Sequence, residues 1–173
     1  MAIISFLEIV YLIITSLVVG FIFTGYIRLP SKKQEEDVLI QYEKRKFIDW
    51  DSIKLAAIAA SPGIIFHELG HKFIALLFGL SAVYQIFWFG LGLGFLLKLL
   101  NSPFLILAPG YVEISGNFNE IQGLLTAFAG PFINLLLWLG SMMLLKSSIK
   151  FSRRTIIILT LTKQINMMLF IFN

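Results

Sequence analysis

Residues 84–115 read YQIFWFGLGLGFLLKLLNSPFLILAPGYVEIS, and whether this stretch crosses a membrane or doubles back decides the fold. Its apolar run is about a dozen residues long before Lys98 interrupts it and Asn101-Ser102-Pro103 breaks it, a length that suits a re-entrant segment better than a span. Gly90, Gly92 and Gly94 alternate with large residues, and Tyr111-Val112-Glu113-Ile114-Ser115 alternates too, so both arms are expected to be extended. The reading preferred over a fifth span is a β hairpin dipping into a membrane. Non-helical backbone at that depth is tolerable only where it is buried in protein or lines a wet cavity.

The membrane follows from the rest of the chain. At 173 residues with 58% hydrophobic content, 17 Phe and a mean hydropathy of +0.87, the composition is far outside the soluble range. Four stretches, 2–27, 55–80, 121–145 and 155–173, are long enough to cross a hydrocarbon core that needs about 20 helical residues. The first lacks a basic leader and a small-x-small cleavage site, and reads as a retained span rather than a signal peptide. The expected architecture is a membrane all-α bundle of about four transmembrane helices with a small membrane-embedded re-entrant β hairpin. It forms one polytopic domain over 1–173, with a first span to 27, a polar loop at 28–54 that holds a short surface helix, and a core from 55 onward.

Charge placement supports the hairpin. Of 14 Lys and Arg, 7 lie in 28–54 among 6 acids and 4 lie in 146–154, and only the hairpin topology brings both groups to one face. The net charge of +4 therefore marks membrane flanks and not a nucleic-acid site. With no cysteine, disulfides and thiolate metal ligands are excluded.

Inside the span at 55–80 lies FHELGH, residues 66–71, which holds the chain's 2 histidines. Positions four apart project from one helix face about 5.4 Å apart along the axis, so His67 and His71 can ligate one metal ion. Glu68 is rotated by about 100° and flanks the pair. This is the His-Glu-x-x-His zincin signature, in which zinc brings the pKa of a water to about 7 and the glutamate is the general base. Gly70 leaves space for a neighbouring backbone. The signature lies about 18 Å into the span, where an ionisable residue is functional by default. A structural polar cluster is the competing reading.

A second element is Gly130-Pro131-Phe132-Ile133-Asn134, which by itself reads as a helix start or kink with a buried hydrogen-bonding Asn. Together with FHELGH, the glycine-rich segment between them and a last helix ending INMMLFIFN, it resembles the site-2 protease family of intramembrane zinc metalloproteases, in the archaeal form, over about 55–173. The resemblance implies a multi-pass cell-membrane endopeptidase that cleaves a membrane-embedded substrate helix. It assigns His67 and His71 to Zn2+, Glu68 to catalysis, and Asn134 to the neighbourhood of the scissile peptide. Gly90, Gly92 and Gly94 are expected to position substrate at a bare hairpin edge.

The family completes its zinc site with an aspartate in a Leu-Asp-Gly run on the last core helix, and the given sequence stops at Asn173, where that run would begin. The third ligand is therefore expected beyond Asn173, with Glu113 and Glu120 as weak substitutes inside the chain. A catalytically inactive scaffold or substrate-binding protein of the same fold is the retained alternative, and a metal transporter ranks below it. Glu8 reads as an interfacial or helix-contact residue. Lys72 either snorkels to the interface or pairs with Glu113, while Lys163, Gln164 and Asn166 face the bundle interior or whatever follows Asn173. The basic loops and the family resemblance favour opposite orientations in the membrane; the resemblance is followed here.

Overall fold

The computed structural model describes residues 3–24, 50–102 and 108–172. In chain order the elements are α1 (Phe6–Phe23), α2 (Trp50–Leu77), β1 (Ser81–Ile86), α3 (Trp88–Leu99), β2 (Gly110–Ser115), α4 (Glu120–Lys146) and α5 (Arg153–Phe172). Among the described residues, α1, α2, α4 and α5 are long and apolar enough to cross a membrane. The surface helix expected within 28–54 lies mostly outside the described residues, and 50–54 are already the start of α2.

Local signals set the ends of these helices. Ser5 and Glu8 form a capping box at the start of α1, and Asn119 and Gln122 form one at the start of α4, each satisfying amide donors that helix geometry leaves orphaned. Past the end of α2, Gly79 at φ +76° donates to the Leu76 carbonyl and Leu80 donates to that of Ala75, which reverses the chain into β1. α2 is the central helix and is packed by α1, α4 and α5. Pro62 and Pro131 both sit inside continuous helices, so Gly130-Pro131 is not a helix start.

The decisive stretch is a hairpin with a helix set into it. β1 and β2 pair antiparallel, with Ala82 opposite Ile114 and Tyr84 opposite Val112, so the doubling-back and the 111–115 arm are as expected. The extended first arm is not. Trp88–Leu99 is helical, about 18 Å long at 1.5 Å per residue and too short for a fifth span across about 30 Å. It ends at Asn101, which adopts φ 51°, with Ser102 donating back to the Leu97 carbonyl. Gly90, Gly92 and Gly94 therefore form no bare strand edge.

The same glycines also carry an i, i+4 pattern, and packing selects that one. Gly90 and Gly94 are buried on one face of α3, where small residues permit close approach, while Gly92 is exposed. A Cβ at Gly90 would run into the Ala108 carbonyl, whereas one at Gly92 meets nothing within 4 Å. Gly92→Ala should thus leave thermal stability within about 1 kcal/mol of the parent, and Gly90→Ala should cost about 1–3 kcal/mol. Equal melting temperatures for the two variants would argue against this register of α3.

The sheet has two unlike edges. Tyr84 N–H and the Ala82 carbonyl both bond to side chains outside the sheet, so Ala82 and Tyr84 form the pairs that exchange no ladder bonds. Their partners Ile114 and Val112 then also aim their N–H and C=O groups away from the ladder. Among the described residues no third strand covers that outer edge of β2.

Candidate metal centre

The signature residues lie in α2, with His67 about 26 Å from its first residue and about 15 Å from its last. His67 and Glu68 are 7% and 8% exposed, and His71 is half-buried. All three line a cavity of about 410 Å³ whose walls include Gly110, Val112 and Ile114 of β2 and Thr126 of α4. The expected one-face geometry is realised: the imidazoles lie edge to face, 4.7 Å between centroids, with their Nε2 atoms 3.0 Å apart.

The outer nitrogens set what those Nε2 atoms can do. His71 Nδ1 is 2.7 Å from the Thr126 carbonyl, which only accepts, so Nδ1 carries the proton and Nε2 presents a lone pair. His67 Nδ1 is 2.9 Å from Nδ2 of the Asn134 side-chain amide. If that amide donates through Nδ2, His67 carries its proton on Nε2 and donates it to His71, a closed pair without metal. If the amide turns its Oδ1 to His67, the Nδ1 proton is held there and both Nε2 lone pairs converge on one point.

That second arrangement fits zinc. Bond lengths of about 2.0–2.1 Å at a tetrahedral angle place two nitrogens about 3.3 Å apart, within a few tenths of an ångström of the spacing here. Gly130 supplies the room: a Cβ there would lie 2.7 Å from His67 Cε1 and Nε2 and would overlap His71 Nε2. Gly70 behaves as the sequence suggests, because its own missing Cβ would lie 3.0 Å from the Ala129 carbonyl, so α4 approaches the imidazoles closely. Thr126 Oγ1 in the cavity wall and Asn134 Oδ1 are buried with no partner among the described residues.

Asn134 is fully buried behind His67 and does not line the cavity, so it meets a histidine and not the open space. Glu113 and Glu120 are exposed and line none of the cavity. Among the described residues no group of three metal-ligating side chains gathers. Lys72 pairs with Glu8 and not with Glu113. Asn166 is buried, donating to the Thr162 carbonyl beside Gly63 of α2, and Gln164 is exposed. Sequence reading singled out Gly130 only as the start of the Gly-Pro-x-x-Asn element, without its place against the imidazoles, and it missed Thr126, whose part is played by its backbone.

The chain is similar to a protein of Methanocaldococcus jannaschii provisionally named a zinc metalloprotease, with 39% identity over 85 residues. The match covers 48% of this chain and 44% of that protein, so the chain spans less than half the length of this relative. No family profile matches the chain. No solved structure matches it.

Proposed function

We propose that the chain carries the core of an intramembrane zinc endopeptidase of the site-2 protease type, acting on a membrane-embedded substrate helix. The observation that carries this reading is the convergence of His67 and His71 Nε2, with Glu68 beside them, on a cavity walled by the unpaired edge of β2. The distant metalloprotease relative supports the reaction class.

Zinc bound at this pair would supply a Lewis acid that polarises a peptide carbonyl and acidifies water. His67 and His71 would hold the ion. Asn134 and the Thr126 carbonyl fix the imidazole orientations. Glu68 takes a proton from water as the water oxygen adds to the carbonyl carbon, and then gives that proton to the amide nitrogen as the C–N bond of the tetrahedral adduct breaks. A substrate helix has its backbone bonds internally satisfied and must be unwound before that can happen. The outward N–H and C=O groups of Val112 and Ile114 can replace those bonds by pairing with the substrate as an added strand.

This is tested by cleavage of a membrane-helix substrate in liposomes, with a chelator and zinc re-addition as the metal control. Val112→Pro removes an N–H that faces the cavity and not the ladder, so the hairpin survives while substrate pairing is impaired. It should lower kcat/KM by roughly tenfold with zinc content unchanged. Full activity in Val112→Pro would exclude strand addition at β2, and a wild-type protein that binds substrate without cutting it would favour the inactive scaffold.

A further inference from the structure

The buried ion pair between Glu8 and Lys72 joins α1, α2 and β1, and the proposed chemistry does not use it. Both side chains are almost fully enclosed, Lys72 at 2% and Glu8 at 4% exposure. Lys72 Nζ donates to Glu8 Oε1 and, at 2.8 Å, to the Ala82 carbonyl. Tyr84 N–H donates to the same Oε1 at 2.8 Å, and Ser5 N–H donates to Oε2 at 2.7 Å. The carboxylate thus ties the start of α1 to both α2 and the sheet.

Adhesion between α1 and α2 does not require charge. A buried pair is often no more stabilising than apolar side chains of equal volume, and ions within an apolar bundle are costly unless paired. What apolar side chains cannot do is satisfy Tyr84 N–H and the Ala82 carbonyl, two of the backbone groups that β1 turns away from β2. Left open, they would be a competing edge for an extended chain, and unsatisfied in apolar surroundings they would be expensive. Thr15 reinforces the attachment from the next turns of α1, with its Oγ1 2.9 Å from the Tyr84 hydroxyl.

We propose that Glu8 and Lys72 are positioning residues that clamp the outer edge of β1 to α1 and α2, reserving the cavity-facing edge of β2 for substrate and fixing its distance from the metal centre. This rests on the endopeptidase reading above. With the clamp removed, β1 can shift against the helices and carries β2 with it, so substrate pairing weakens while the imidazole pair, held by α2 and α4, is untouched.

The experiment compares two double variants in liposomes with a membrane-helix substrate. Glu8→Ala/Lys72→Met removes both charges together, so neither is stranded, and removes the acceptor of Tyr84 N–H. Glu8→Gln/Lys72→Met keeps the length of the side chain and restores an acceptor for Tyr84 N–H. The first should raise KM by about tenfold, with kcat and zinc content within about twofold of wild type, and the second should bring KM back to within about threefold. A merely structural role would lower kcat and zinc content together as the active fraction falls and would leave KM unchanged. Unchanged KM in Glu8→Ala/Lys72→Met, or equal KM in both, overturns the proposal.

If the Ala-containing variant does not accumulate, amide exchange on the wild-type protein decides. Tyr84 should be protected with or without substrate, whereas Val112 and Ile114 should gain protection only when substrate is bound to a Glu68→Gln trap. Protection at Tyr84 that appears only with substrate would overturn the clamp. Absence of cleavage by wild type in the same liposomes would instead refute the endopeptidase reading.

Discussion

Glu68→Gln is expected to lower turnover of a membrane-helix substrate by roughly 10²–10⁴-fold while leaving bound zinc unchanged. The amide is nearly isosteric with the carboxylate and cannot take a proton from water, so it removes the general base and little else. The site separates the two functions because His67 and His71 converge through their own Nε2 atoms, and their Nδ1 atoms are held by Asn134 and Thr126. Turnover and metal content are to be measured on one preparation. Cleavage at a near-parental rate would take Glu68 out of the mechanism, and loss of zinc would make it a ligand instead of a base.

The second large effect is expected at Gly130. A methyl group there would lie 2.7 Å from His67 Cε1 and Nε2 and against His71 Nε2. Retreat of α4 would also open the contact in which the Ala129 carbonyl packs against Gly70. Gly130→Ala should therefore weaken zinc binding by at least about 100-fold and remove activity with it. Gly140→Ala, on the same helix with nothing within 4 Å of the added carbon, is the matched control and should keep both. Comparable zinc affinity in the two variants would mean that the imidazoles do not converge as described.

The features legible in the sequence are those encoded locally. FHELGH carries its one-face geometry in its spacing, the four long apolar helices show in composition alone, and Tyr111–Ser115 alternates because one face of β2 packs inward. Gly90, Gly92 and Gly94 show where local reading fails. The sequence GLGLG satisfies a period of two and an i, i+4 pattern equally, and only the close packing against Ala108, eighteen residues on from Gly90, selects the helix. The pairing of Lys72 with Glu8 spans 64 positions and leaves no mark in either neighbourhood. Asn134 was recognisable as a buried polar residue, but that it backs His67 depends on how α4 sits against α2.

The central claim is that His67 and His71 hold zinc through converging Nε2 atoms, and zinc K-edge X-ray absorption on the zinc-loaded protein in a bilayer tests it most directly. Two imidazole nitrogens are expected at about 2.0–2.1 Å, with the outer-shell imidazole scattering halved by His71→Ala. A spectrum with oxygen ligands alone, or one that His67→Ala and His71→Ala leave unchanged, would contradict it.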